Sequence, residues 1–383
     1  MAANRLLDFH AWMLADSGRT GSYRKAIFQT VREGDVVVDL GAGSGILSFF
    51  ACAAGSRRVY AIEISESIEL ARRVCASNGF SDFVEFLKAR SQNVTLPEEV
   101  DVIVCDAGSS FGLEEGMLGT ILDARRRFLR PGGRVIPHAL QLFIAPVESN
   151  NPLFNLDVWR EGSYGLDLSS IRRFAANANY ARHFKPEQVL GPPQLVATIR
   201  FDEADSEYVS GTASCIAARD GLMHGLAAWV SVELAPGISF TNSPLNPTVD
   251  WTQGFFPVET PLKLKAGDCV RTHIQTNDGQ EWRWQVEVAG GITSESSSTI
   301  KAQFDHSTLG KFPVSMNALK RQLPQYTPQL SRRGEAELYL LHAFDGHRSA
   351  DSLATELLEH FADCFPSQAA AAAFVHVVAA NCS

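Results

Sequence analysis

Cysteine is scarce in this 383-residue chain and charge is thin: seven cysteines, and 20% charged residues against 45% hydrophobic ones. Cys52, Cys75, Cys105, Cys215, Cys269, Cys364 and Cys382 form no CxxC pair and no even-spaced framework. That excludes a readable disulfide scaffold and predicts reduced thiols in a reducing compartment. No His, Cys and Asp cluster has metal-ligand spacing, so no metal is expected. No apolar run reaches about 18 residues, and "MAANRLLDFH" lacks a basic stretch followed by a long apolar core; this excludes a helical membrane span and predicts a cytoplasmic protein. Basic excess is missing as well. The formal net charge is −9, and the arginines come in short pairs and one Arg125-Arg126-Arg127 run, which argues against a nucleic-acid partner. What remains has the length and apolar content for two or three cores.

Residues 1 to 32 read as helical, with Leu6, Leu7, Trp12, Met13 and Leu14 as a partial apolar face. Strand and helix then alternate through "DVVVDLGAGSG", "ILSFFACAAG", "RVYAIEIS", "ESIELARRVCASNG", "FVEFLKAR", "VDVIVCD", "GMLGTILDARRRFLRPGG" and "RVIPHALQLFIAPVE". Apolar strand cores between amphipathic helices predict a doubly wound, mostly parallel α/β domain over 1–146. From 147 to 310 short alternating runs such as "LVATIRF", "LAAWVSVEL" and "EWRWQVEVAG" predict an antiparallel β domain, with a helical hairpin-like insertion at 154–190. Residues 311–383 read as a small helical domain with three amphipathic helices.

The strongest chemical signal is "VVVDLGAGSG", residues 36 to 45. A strand carries the acid Asp39 into a turn with Gly41, Gly43 and Gly45, whose spacing differs from the dinucleotide fingerprint and suits S-adenosylmethionine better than NAD. At the end of the next strand stands Glu63, where a carboxylate can accept both ribose hydroxyl protons. The bland reading of the glycines is a turn that serves only the fold.

These stretches, in one register from about residue 10 to 290, resemble the protein arginine N-methyltransferase family. The resemblance implies a class I methyltransferase (Rossmann-like) domain followed by a β-barrel-like domain, with 154–190 as a dimerisation arm of a head-to-tail homodimer. "HAWMLADSGRTGSYRKAI" is similar to the family's segment before the first strand, so Met13 and Arg19 are implied to contact the cofactor, Arg19 gripping its carboxylate. Gln92 matches the family's acid near the adenine, and Met117 is assigned to the cofactor as well. "VDVIVCDAGSSFGLEEGML" aligns without a gap on the double-glutamate loop, which makes Asp106 and Glu115 the two catalytic carboxylates and Glu114 an extra acid assigned to substrate. "NPTVDWTQGFF" resembles the threonine-histidine-tryptophan loop, with Asp250 in place of the histidine and Trp251 retained on the substrate side. Asp16 matches the acid that meets that histidine, so Asp250 and Asp16 complete the implied catalytic set. The aromatic residues usual in the loop are replaced by Ala107, Gly108, Ser109 and Ser110.

A guanidinium has a pKa above about 12, so two carboxylates serve better by holding its planar fork than by deprotonating it. Asp106 and Glu115 fit that role, although the shorter Asp draws one acceptor back by about 1.5 Å. Alternatively, Asp106 caps the following segment and the two glutamates begin a solvated helix. Asp250 beside Asp16 would make a proton relay or a subsite for a second cation, or would be a plain turn residue. His10 is read as a packing or hydrogen-bonding residue rather than a catalyst. The pattern "LLHAFDGHRSADSLATEL" resembles the small winged-helix peptide chaperone of the pyrroloquinoline-quinone pathway, which implies leader-peptide binding by strand addition; a helical cap is the alternative. The expected function is S-adenosylmethionine-dependent N-methylation of arginine in a peptide or protein, and leader binding by the C-terminal segment would make that peptide a ribosomal natural-product precursor. Free arginine or another small cationic amine is the second expectation, and an idle cofactor-binding scaffold the third.

Overall fold

Three consecutive valines, Val36, Val37 and Val38, are buried on both faces, as β-branched residues at the centre of a covered sheet should be. They lie in a computed structural model that describes residues 3–106, 110–151, 156–159, 161–163, 165–290, 299–321 and 323–382. Helices α1 (Ala3–Ala15) and α2 (Ser17–Thr30) lead into β1 (Val36–Leu40), α3 (Ile46–Ala53), β2 (Arg58–Ile62), α4 (Ser67–Ser77), β3 (Val84–Leu87), β4 (Val100–Cys105), α5 (Met117–Arg127) and β5 (Leu129–Ile136). The five strands are parallel in the order β3-β2-β1-β4-β5. Strand order reverses beside β1, so the crevice beyond the ends of β1 and β4 is where an open α/β sheet takes a ligand.

The chain then builds two antiparallel sheets from β6 (Ala139–Val147), β7 (Glu161–Ser163), β8 (Leu166–Asp167), α6 (Ser169–Ala175), β9 (Tyr180–Arg182), β10 (Gln194–Arg200), β11 (Val209–Ile216), β12 (Gly221–Ala235), β13 (Ile238–Thr241), β14 (Gln253–Leu264), β15 (Cys269–Thr276), β16 (Trp282–Ala289) and β17 (Ile300–Ser307). One runs β10-β6-β12-β14-β9 with β13 on β12, and the other β11-β15-β16-β17. The small pair β7-β8 stands apart from both. In β16 the side chains alternate inward and outward, burying Trp282, Trp284, Val286 and Val288, the period-two pattern of a half-covered strand. One continuous apolar core joins these sheets to the α/β part, and residues Met1–Pro313 form one compact unit.

Two expectations change. β6 pairs antiparallel with β10 and β12, so the α/β sheet ends at Ile136, not near residue 146. An apolar run predicts a strand but carries no record of its partner. The described part of 154–190 holds one short α-helix, α6, with two single 3-10 turns and short strands rather than a helical hairpin. The Asn177-Ala178-Asn179 run after α6, rich in a residue that competes for backbone groups, is where a longer helix stops.

Residues Val314–Ser383 form a second unit, with α7 (Met316–Arg321), α8 (Arg332–Ala343), α9 (Ala350–Phe361) and α10 (Gln368–Cys382). Ser331 and Ser349 cap α8 and α9 by accepting from the Gly334 and Ser352 N–H groups at 3.1 and 3.2 Å. Leu340, Leu353, Leu357, Phe361, Phe365, Phe374 and Val375 close a core of their own. Among its described residues this unit contains no strand. The wing that the chaperone resemblance implies is therefore not among them, and neither is a strand edge for peptide addition, which leaves the helical cap as the reading these helices fit.

Candidate active site

The turn after β1 takes φ angles of +71°, +54° and +83° at Gly41, Gly43 and Gly45, a region that glycine enters at no steric cost. Space demands glycine too, since a Cβ at Gly43 would lie 2.9 Å from Cε1 of His10. Glu63, directly after β2, accepts from the Gly43 N–H at 2.9 Å and from the Ser65 N–H at 2.7 Å. Its carboxylate pins the glycine turn and keeps further lone pairs for hydroxyl donors. Inside β1, Asp39 accepts from the Ser48 hydroxyl of α3 at 2.6 Å, while its Oδ1 is buried without a partner. Burial pushes the Asp39 carboxyl up to about 6, against the lowering by the Ser48 hydrogen bond, with Glu63 adding a smaller push upward.

The other wall is α1 and α2. Asp16 caps α2, accepting from the Arg19 N–H at 3.0 Å, and its Oδ2 is buried and unpartnered. Arg19 is only 3% exposed. Its Nη1 donates to the Met13 carbonyl at 2.9 Å and to the Thr20 hydroxyl at 3.1 Å, its Nη2 pairs with Asp106, and its Nε is buried with no acceptor. Below it, Tyr23 presents its ring 5.8 Å from the guanidinium and donates to the Cys105 carbonyl at 3.1 Å. This places Asp106, just past the end of β4, against the wall that holds Met13 and Arg19. Burial lowers the His10 pKa, with Glu63 working the other way and Arg19 adding a smaller lowering.

The loop after β4 is anchored by Phe111, fully buried 5.0 Å from the ring of Trp282 and 5.5 Å from that of Phe256. Glu114 turns its carboxylate back onto the Phe111 N–H at 3.1 and 3.3 Å, so it holds the loop's own backbone. Glu115 lies in the single turn Glu114–Gly116, and its side chain, like Ala107, Gly108 and Ser109, lies outside the described residues. Met117 opens α5 and is buried, whereas Gln92 is exposed. From the β domain, Trp251 is buried edge-on to Phe240 at 5.4 Å, and Phe240 stands 6.1 Å from Tyr23. Asp250 is exposed; two residues before it, the Thr248 carbonyl closes on Gly18 so tightly that a Cβ there would come within 2.0 Å.

One cleft thus gathers Met13, Arg19, Asp39, the three glycines, Glu63 and Asp106. Sequence reading left His10 out of it, although His10 and Met13 are three residues apart and so share one face of α1, a signal that was available. Among the described residues no three His, Cys, Asp or Glu side chains gather as a metal group, and no helix is long and apolar enough to cross a membrane.

Residues 37–133 match a methyltransferase-domain family model, and residues 138–289 match that of the arginine methyltransferase oligomerization subdomain. Protein arginine N-methyltransferase 6 of Xenopus laevis is 33% identical over 276 residues, 68% of this chain and 80% of that protein. The chain belongs to the protein arginine N-methyltransferase family. Protein arginine N-methyltransferase 6 of Danio rerio stands at 32% identity over 287 residues, 71% of this methyltransferase and 82% of its relative. Two solved structures share the fold at 23% identity. The Trypanosoma brucei PRMT1 enzyme-prozyme heterotetrameric complex with AdoHcy gives a TM-score of 0.69, covering 78% of this chain and 98% of that one. Protein arginine methyltransferase 10 of Arabidopsis thaliana, in an open conformation, gives 0.67 over 78% and 97%. The cofactor of this methyltransferase is S-adenosylmethionine, and the cleft fits it. The orphaned Nε of Arg19 and the orphaned Oδ1 of Asp39 are a donor and an acceptor that complement the carboxylate and ammonium of its amino-acid end.

Proposed function

We propose that this methyltransferase modifies a guanidinium nitrogen of arginine in a protein or peptide. The observation that carries the reading is the buried pair of Arg19 with Asp106, which joins the cofactor wall to the acceptor loop. S-adenosylmethionine supplies, when bound, a methyl group on a sulfonium. Arg19 and Asp39 hold its amino-acid end, Glu63 its ribose, and His10 and Met13 line the wall above the glycine turn. Gln92 stands for the adenine side and Met117 backs the loop. Asp106 and Glu115 are the two jaws that hold the planar fork, keep it charged and aim one nitrogen, so that the protein's contribution is position and electrostatics. Glu114 keeps the jaw loop in shape through Phe111. Asp250 offers an exposed carboxylate beside Trp251, and Asp16 keeps one buried unpartnered oxygen at the α2 cap; each is an acceptor for the departing proton. The exposed acid at 250 also favours a second reading, in which the acceptor is free arginine or another small amine with a second cation. Residues 154–190 are the homodimer arm, and the scattered cysteines favour a cytoplasmic location.

Mass spectrometry after incubation with labelled cofactor and an arginine-rich protein, a short arginine peptide or free arginine tests this directly. Methylarginine in the protein or peptide is expected; transfer to free arginine alone supports the second reading, and no transfer to any acceptor sinks both. Glu115→Gln should lower transfer by about a hundredfold or more while cofactor affinity stays within about twofold. Full retained activity would remove Glu115 from the clamp.

A further inference from the structure

The jaw loop and the loop of Asp250 and Trp251 come from different sheets of the fold, and besides a direct contact they are bridged by one side chain that belongs to neither. Asn242, just after β13, is 0% exposed. Its Nδ2 donates to the Ser110 carbonyl at 2.9 Å and to the Thr252 carbonyl at 2.6 Å, and its Oδ1 accepts from the Val230 N–H of β12 at 2.9 Å. Ser110 and Thr252 also meet directly, hydroxyl to hydroxyl at 2.5 Å. Beside them, buried Gln253 donates to the carbonyls of Asn242 at 2.7 Å and Trp251 at 3.1 Å, and accepts from the Phe184 N–H at 2.9 Å. Every hydrogen-bonding atom of the Asn242 amide is therefore engaged with backbone, in a place that excludes water as a substitute partner.

We propose that Asn242 is a positioning residue for methyl transfer, fixing the spacing between the jaw loop and the Asp250–Trp251 loop by the width of one amide. This rests on the reading of residues 105–118 as the acceptor clamp. Methyl transfer tolerates little misplacement, so a shift of the jaws relative to the opposite loop acts on the acceptor, while the glycine turn of the cofactor cleft is held separately by Glu63. A merely structural asparagine would, when changed, lower stability without separating acceptor from cofactor.

The decisive variant is Asn242→Asp, which keeps the shape and the acceptor toward Val230 but cannot donate to both carbonyls. Three quantities are read: the affinity for S-adenosylhomocysteine by calorimetry, kcat and KM for the arginine acceptor, and hydrogen exchange at residues 110–114 and 250–253. We expect cofactor affinity within about twofold, a fall in kcat/KM of about tenfold or more carried mainly by kcat, and exchange about tenfold faster in both stretches together. A folded variant with unchanged kcat/KM and unchanged exchange overturns the proposal. If Asn242→Asp does not fold, Asn242→Ala, which removes both donors without burying a charge, is read in the same three assays: loss of rate with faster exchange in both stretches supports the proposal, and unchanged rate and exchange overturn it. Exchange needs no acceptor, so a wild-type enzyme that methylates no arginine would sink the clamp reading and still leave the loop spacing measured.

Discussion

At Asp39 the fold works against itself. An ordinary aspartate sits near 3.8, and burial raises this one to about 6. Well below pH 3.8 the group is protonated in both the folded and unfolded chain and makes no difference; between 3.8 and about 6 the unfolded chain gives up its proton while the folded state keeps it, and above about 6 both are ionised and the loss levels off. Stability therefore falls across that window, by about 3 kcal/mol at pH 7. The cofactor's ammonium, placed beside the orphaned Oδ1, would relieve this strain, so affinity and ionisation are linked. Asp39→Asn should raise the urea midpoint of the cofactor-free protein at pH 7.5 and raise it less at pH 5. In the wild type, affinity for S-adenosylhomocysteine should drop as pH falls below about 6, approaching tenfold per pH step, and the variant should bind weakly with a flatter profile. Parallel profiles in the two proteins would remove Asp39 from the cofactor's ammonium. Asp39 and Glu63 were legible in the sequence as candidates, because the one stands two residues before the glycine turn and the other at the end of the next strand. The pairing of Arg19 with Asp106 was not, because it joins α2 to β4 across 87 positions and only the folded sheet brings them together.

Among the elements, the jaw loop is set as much by the β domain as by the strand it follows. At the turn between β15 and β16, Gly279 has φ +75°, and a Cβ there would meet the Leu113 carbonyl at 1.9 Å. Gly267 has a similar φ of +91° with nothing within 4 Å of such a Cβ, so the two glycines separate backbone strain from close approach. Gly267→Ala should cost about 1 kcal/mol, the left-handed penalty alone, and Gly279→Ala about 2 to 4 kcal/mol with a loss of acceptor turnover as Leu113 is displaced. Equal shifts in denaturation midpoint would mean that the loop does not lean on the turn. The elements themselves were readable: the valine-rich strands, the amphipathic helices and the alternation in β16 follow local periodicity. The partner of β6 and the single helix of the arm were not, since pairing depends on which edge is free when the chain arrives. For the same reason Asn242 and Gln253 passed unnoticed, two amides in turn-like sequence whose partners lie 132 and 69 positions away.

The whole molecule divides at Pro313, and the division has consequences that the two parts can be asked to show separately. Every residue of the cofactor cleft lies in the first unit, which has its own continuous core, and the second unit buries Leu340, Leu353, Leu357, Phe361, Phe365, Phe374 and Val375 among its own helices. A chain ending at Pro313 should therefore fold with an unchanged cofactor affinity, within about twofold. Residues 314–383 alone are small, below the size at which a single core is usually generous, yet they have serine caps on α8 and α9 and aromatic residues packed inside, Phe365 tilted against Phe374 with ring centroids 5.1 Å apart. They should be helical by circular dichroism, with a stability of only about 3 to 5 kcal/mol. Calorimetry on the two pieces and the full chain checks both halves of the expectation. Loss of cofactor binding in the shortened chain would mean that the helical unit supports the cleft. Retained cofactor binding with reduced turnover on a protein acceptor, but not on a short arginine peptide, would place its role in holding the substrate.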